Sequence, residues 1–170
     1  MNKKLMVQIE EALNKTGRPV LMQKLDVDLH TSIDQALQNR KDCKEENRLY
    51  DFLIGKLRAQ KFVKKSGLLD EAGFYTYAGI SSNTWSNIRL GKGTPNKETL
   101  LKLIIGLRMD QDEAHLLMLL GHNELRMSDP RDRVILALID IRCYDIYTVY
   151  DVLEEYGKNG AQPFKNIYDF

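Results

Sequence analysis

The sequence predicts a mostly or all-α fold, and three observations support this. From residue 46 onward, apolar residues recur every three or four positions, which is the spacing of one face of a helix. Residues that favour helix starts stand before most of these segments, and glycines stand after several of them. Apolar and polar residues alternate at residues 25–29, but no convincing second strand follows to pair with this one.

The composition is that of a globular protein. The chain has 170 residues, of which 43% are apolar and 29% charged, enough for one or two small cores. No apolar run approaches the roughly 18 residues of a membrane span, and the N-terminus lacks the pattern of a secretory signal. Cys43 and Cys143 lie far apart in the sequence, so we expect reduced thiols and a cytoplasmic protein.

Residues 1–45 are expected to form a small N-terminal element of unknown role. Residues 3–15 have the pattern of an amphipathic helix, and residues 25–29 that of a short, half-buried strand. A short helix is expected around residues 33–37. Residues 38–48 are almost wholly polar, which is typical of a linker or an exposed helix.

Five helices are expected over residues 46–122. They are placed at about 46–62, 70–78 and 82–90, from the pair Thr94-Pro95 onward, and from Asp110 or Asp112 to Gly121. Thr94 before Pro95 has the order of a cap followed by a first-turn proline, and glycine is common where a helix ends.

Residues 123–170 are expected to form a C-terminal helical extension of two helices. The first begins at Ser128-Asp129-Pro130, and the second is capped by Asp145 and ends at Gly157. Four tyrosines lie in or beside the last helix, where they either cover the core or line a self-association surface.

Two short helices on either side of Gly79 predict a helix-turn-helix unit. Such a unit needs a residue with positive φ between its helices, and glycine adopts that conformation without steric cost. Numbered from Glu71, Gly79 is the ninth residue, and five further positions must be buried where the helices pack. These positions hold Phe74, Ala78, Ile80, Trp85 and Ile88, all of them apolar.

The net charge of +1 conceals a strong asymmetry along the chain. Residues 50–108 hold ten Lys and Arg against four Asp and Glu, a net +6, whereas residues 109–170 hold six against twelve, a net −6. A basic middle segment is typical of a surface that faces phosphates. Two ordinary solvated surfaces would give the same pattern, so charge alone decides nothing here.

The stretch from Phe74 to Leu103 resembles the lambda-repressor-like (Cro/phage-repressor, XRE) family. The similarity lies in Ala78-Gly79-Ile80-Ser81, in Trp85 and Ile88, and in the Gly-Thr-Pro and Thr-Leu-Leu-Lys-Leu segments that follow. It covers about residues 48–122. It implies a five-helix domain at residues 46–122 that binds duplex DNA through the major groove and regulates transcription, as a repressor or autoregulator.

The resemblance also implies which residues contact DNA. The second helix of the unit would enter the major groove, where asparagine can pair with adenine through two hydrogen bonds. Base contacts are expected from Ser82, Asn83, Thr84, Ser86 and Asn87. Phosphate contacts are expected from Arg89, Lys92, Thr94, Asn96 and Lys97.

The chain departs from the family pattern at three positions of the unit. The first position, often Gln, is Glu71, whose charge would repel phosphate at a helix start that ought to face DNA. The fifth, often a small residue, is Tyr75, and the fifteenth, usually aliphatic, is Trp85.

The expected partners are double-stranded DNA and a second copy of the chain, because such modules bind paired half-sites as dimers. No cofactor and no enzymatic activity are expected, since no phosphate-binding loop or nucleophile motif is present. His115, His122 and Cys143 do not have the spacing of a metal site. The alternative is a small phage- or plasmid-type inhibitor or antitoxin that binds another protein through residues 1–45.

Overall fold

The computed structural model describes residues 7–11, 47–159 and 164, and most of these residues lie in helices. Residues 7–11 form a short helical segment. Seven further helices follow, which are α1 (Arg48–Ala59), α2 (Glu71–Tyr77), α3 (Ser82–Arg89), α4 (Lys97–Gly106), α5 (Gln111–Leu120), α6 (Pro130–Asp140) and α7 (Ile146–Glu155). A 3-10 turn at Tyr156–Asn159 ends the series. Within the described residues there is no β-strand, so the predicted helical class is confirmed for that part of the chain.

Most predictions for the N-terminal third lie outside the described residues. Of the helix expected over residues 3–15, residues 7–11 are described and are helical. The strand expected at residues 25–29, the short helix after it and most of residues 38–48 lie outside. The expected division of the chain after residues 45 and 122 stays a prediction.

Each helix from α1 to α7 begins at a polar side chain that accepts a hydrogen bond from a backbone N–H of the first turn, which offsets the lack of partners there. These caps are Asn47, Asp70, Ser81, Asn96, Asp110, Asp129 and Asp145. The predicted start of α4 was wrong by two residues. Thr94 is exposed, whereas Oδ1 of Asn96 accepts from the N–H of Thr99 at 2.8 Å. Asparagine is the stronger of the two capping residues, so the helix begins after it.

Gly121 ends α5 as predicted, but its φ of −88° is ordinary, and the left-handed residue is His122 with φ 52°. Glycine is required here for space, because a Cβ at residue 121 would lie 2.5 Å from Cδ1 of Leu100. The end of α5 therefore packs directly on α4.

One apolar core runs from α1 to α7, with α4 at its centre. Leu100, Leu101, Leu103, Ile104 and Ile105 of α4 are all fully buried. Helix α4 contacts both α5 and α7, and α6 packs on α5 and α7, so the C-terminal helices share the core of the preceding ones. None of the described helices is both long and apolar enough to cross a membrane.

Candidate nucleic-acid interface

Helices α2 and α3 pack against each other around a tight turn at Gly79. Gly79 has φ 65°, and the N–H of Ile80 donates to the carbonyl of Tyr75 at 2.8 Å across the turn. The five positions predicted to be buried are at most 3% exposed. The burial pattern expected for the unit is therefore confirmed.

Trp85 is the centre of this packing. Its ring makes edge contacts with Phe74 of α2, at 5.6 Å between centroids, and with Tyr50 of α1, at 6.1 Å. The ring of Tyr75 lies 6.3 Å away in a tilted arrangement. Aromatic pairs in such geometries are worth about 0.5–1.5 kcal/mol each beyond the area they bury. Three rings from two helices thus hold α3 in one orientation.

The carboxylate of Glu71 lies against the same cluster. Its Oε2 accepts from the indole N–H of Trp85 at 2.7 Å and from the hydroxyl of Tyr50 at 3.1 Å. Burial raises the pKa of Tyr50, and the charge of Glu71 and its hydrogen bond act in the same direction. The charge expected to repel phosphate is therefore partly engaged by two donors of the protein itself.

Asn47 fixes the other end of α3. Its Oδ1 caps α1 by accepting from the N–H of Tyr50 at 3.1 Å, and its Nδ2 donates to the carbonyl of Ile88. One side chain therefore joins the start of α1 to the last turn of α3. Neither this contact nor the role of Tyr50 was predicted from the sequence. The one signal that could have indicated residue 47 is the preference of asparagine for the cap position before a helix.

The five expected base-contacting residues lie together on α3, outside its buried face. Ser82 and Asn83 are exposed, whereas Thr84, Ser86 and Asn87 are half-buried. The Thr84 hydroxyl lies 2.9 Å from Oγ of Ser81, the cap of α3, so it takes part in the helix start. Ser82 and Asn83 are the most accessible of the set.

The expected phosphate-contacting residues divide into two kinds. Arg89, Lys92, Thr94 and Asn96 are exposed. Lys97 is 22% exposed and its ammonium group is paired with Asp132 and, at 3.4 Å, with Asp129. Lys97 thus joins the first residue of α4 to α6 through an ion pair.

The two aspartates beside Lys97 lie in different surroundings. Asp132 is fully buried, and its Oδ2 also accepts from the N–H of Arg126 at 2.7 Å. Burial alone would raise the pKa of Asp129, but the N–H of Arg131 and the charge of Lys97 outweigh it and hold that pKa below the ordinary 3.8. This cluster ties the basic middle of the chain to its acidic end.

Ion pairs within the fold neutralise part of the charge asymmetry of the sequence. Lys56 pairs with Glu113 and Lys97 with Asp132, each joining the basic segment to the acidic one. By contrast, Arg89 and Lys92 make no ion pair within the described residues. Within the basic segment, the cations that make no ion pair among the described residues are Arg89 and Lys92 beside α3, Arg58, Lys61, Lys64 and Lys65 before α2, and Arg108 after α4.

Among the described residues, no three His, Cys, Asp or Glu side chains are grouped as metal ligands. His122 is exposed and His115 half-buried. Cys143 is a half-buried free thiol whose pKa is raised by burial.

Comparison of the chain with protein-family models, with curated proteins and with solved structures gave no match.

Proposed function

We propose that this chain binds duplex DNA by placing α3 in the major groove, and that it regulates transcription in this way. The observation that carries the proposal is the pair α2 and α3. Its five internal positions are buried, while Ser82, Asn83 and Arg89 face solvent. A short helix with polar side chains on its outer face, braced by a second helix, is the arrangement that a major groove accommodates.

Electrostatics support the same face. No carboxylate occurs in the sequence between Glu71 and Glu98, a segment that includes all of α3 and the loop after it. Arg89 and Lys92 are exposed there, and Glu71 is turned to Trp85 and Tyr50. A phosphate backbone beside α3 would therefore meet cations and neutral groups.

The alternative, an inhibitor or antitoxin that binds another protein, depended on residues 1–45. Of these, only residues 7–11 are described, and they supply no contact that favours such a partner. We also propose a homodimer, because the exposed part of one α3 offers few base contacts and a paired site doubles them.

The test is selection of binding sequences from a random pool of duplexes, followed by titration of the selected duplex. The parent is expected to enrich one sequence and to bind it more weakly as salt rises. Asn83→Ala combined with Arg89→Ala should weaken binding by about 10- to 100-fold, since this variant can no longer make one base contact and one phosphate contact.

The matched control combines Ser128→Ala with Arg133→Ala. Both residues are exposed, and the pair removes the same charge from another part of the molecule. This control should bind like the parent. If the pool yields no enriched sequence, or if the α3 variant binds as tightly as the control, the proposed function is wrong.

A further inference from the structure

The chain between α1 and α2 forms a short hairpin turn, closed by one isolated bridge and without strands, that was not predicted from the sequence. Val63 and Leu69 form an antiparallel bridge. The N–H of Lys64 donates to the carbonyl of Leu68 at 2.7 Å, and that of Gly67 to the carbonyl of Lys64 at 2.9 Å. Gly67 has φ 81°, as a tight turn requires. We call this segment, residues 62–69, the hairpin.

The hairpin is fixed to α2. The ring of Phe62 packs on Phe74 at 5.3 Å between centroids and on Tyr77 at 6.3 Å. The N–H of Asp70, the cap of α2, donates to the carbonyl of Phe62 at 2.9 Å. The hairpin therefore holds a defined position beside α2.

The hairpin and the residues that connect it to α1 are strongly basic. Residues 58–69 contain four cations and no carboxylate. The four are Arg58, Lys61, Lys64 and Lys65. All are exposed, and none makes an ion pair within the described part of the chain. Lys56 and Lys97, by contrast, are paired with Glu113 and Asp132. The fold thus pairs these two lysines and leaves the four cations before α2 facing solvent.

The root of the hairpin adjoins the start of α3. Glu71, the residue after Asp70, accepts the Trp85 N–H at 2.7 Å, which joins the first residue of α2 to the first turn of α3. Gly67 precedes Asp70 by three residues, so the turn lies at most about 11 Å from the start of α2. A duplex carries one phosphate per about 1.7 Å of its axis, so the backbone of a duplex lying along α3 would offer closely spaced phosphates near the start of α2.

Resting on the function proposed above, we propose that Lys61, Lys64 and Lys65 form a second DNA contact that holds the phosphate backbone beside the sequence contacted by α3. The ligand is the sugar-phosphate backbone of duplex DNA. A protein partner is disfavoured because lysine is depleted in protein interfaces. A lipid surface is disfavoured because the exposed apolar side chains here, Val63 and Leu68, do not lie on an amphipathic helix.

The experiment compares the salt dependence of binding to a labelled duplex of mixed sequence. The hairpin variant carries Lys64→Gln and Lys65→Gln in the hairpin and Lys61→Gln directly before it, all in the full chain. The slope of log K against log salt is negative, and removal of each phosphate contact should make it shallower by about 0.9. The variant's slope should therefore be shallower than the parent's by about 2 to 3. The control carries Arg126→Gln, Arg133→Gln and Arg142→Gln, which remove the same charge from exposed positions, and it should keep the parent's slope.

Two further arms separate the outcomes. The α3 variant Asn83→Ala with Arg89→Ala is titrated on the sequence selected by the parent, and if it binds like the parent the proposed function fails. If instead the α3 variant is impaired while the hairpin variant keeps the parent's slope, only the hairpin proposal fails. Binding of the parent to phosphatidylserine-containing vesicles but not to duplex would overturn the hairpin proposal in favour of a membrane surface. Unchanged thermal unfolding of the hairpin variant shows that these differences arise from charge.

Discussion

The indole N–H of Trp85 donates a 2.7 Å hydrogen bond to Oε2 of Glu71, so the first turn of α3 is joined to the first residue of α2. Both residues depart from the family pattern that the sequence resembles. Their contact satisfies the indole, since an indole at residue 85 needs an acceptor when buried and Glu71 supplies it. The hydroxyl of Tyr50 at 3.1 Å completes the group.

Glu71→Gln should lower stability and raise DNA affinity at the same time. The amide keeps an acceptor for Trp85 but loses the charge that strengthens the bond, so the free energy of unfolding should fall by about 1 kcal/mol. Loss of a negative charge beside the proposed DNA face should strengthen duplex binding a few-fold. Urea unfolding and duplex titration measure the two effects. Glu154→Gln, at an exposed site on α7, should change neither, and a Glu71→Gln protein with weaker DNA binding would contradict the arrangement.

Lys97→Gln should affect stability, whereas Lys92→Gln should affect DNA binding. Removing Lys97 leaves the buried Asp132 without its cation, so the free energy of unfolding should fall by about 2 kcal/mol or more, while the salt slope of DNA binding stays near that of the parent. Lys92 is exposed and makes no ion pair within the described residues, so its loss should change stability by less than about 0.5 kcal/mol. Its loss should reduce the slope by about 0.9. Urea unfolding and the salt dependence of duplex binding are measured for both variants. If the two variants change stability and salt slope equally, the assignment of Lys97 to the fold and of Lys92 to DNA is wrong.

The ionisation of Tyr50 should make the fold sensitive to alkaline pH. Its pKa is raised above the ordinary 10.0 by burial and by Glu71, so the folded state holds this proton more tightly than the unfolded chain does. The resulting stability is fully present below pH 10.0 and is lost as the pH rises through the folded pKa. As the pH rises above 10.0, Tyr50→Phe should therefore lose less stability than the parent does. The pKa values of Tyr144 and Tyr156 are also raised, mainly by burial, so the substitution should flatten the profile only in part. If chemical unfolding gave the same dependence of stability on alkaline pH for the parent and for Tyr50→Phe, the predicted role of Tyr50 would be wrong.

Gly79→Ala should destabilise the protein, whereas Gly55→Ala should stabilise it. Gly79 has φ 65°, where a Cβ costs roughly 1–2 kcal/mol. Gly55 lies within α1 with nothing within 4 Å of an added Cβ, so alanine there should raise the free energy of unfolding by about 0.5–1 kcal/mol. Thermal unfolding of the two single variants gives both signs. A neutral Gly79→Ala would mean that the turn does not need its left-handed residue.

Sequence pattern alone predicted most helix positions and the five buried positions of the α2 and α3 pair. Both follow from local rules, because apolar spacing and capping side chains act over three or four residues. The same rules placed the start of α4 at Thr94, where the competing cap Asn96 prevails. They missed the hairpin at residues 62–69, although Lys-Lys-Ser-Gly between two apolar pairs carries a turn signal.

What the sequence by itself determined is the helical class, the turn at Gly79 and the polar outer face of α3, since each depends on neighbouring residues. The tertiary structure alone decided which charges are free. Lys97 is far from Asp132 in the sequence and Glu71 is far from Tyr50, yet both pairs meet in space. Whether a charged side chain is available to a partner depends on such long-range contacts, because they arise only when the helices pack around one core.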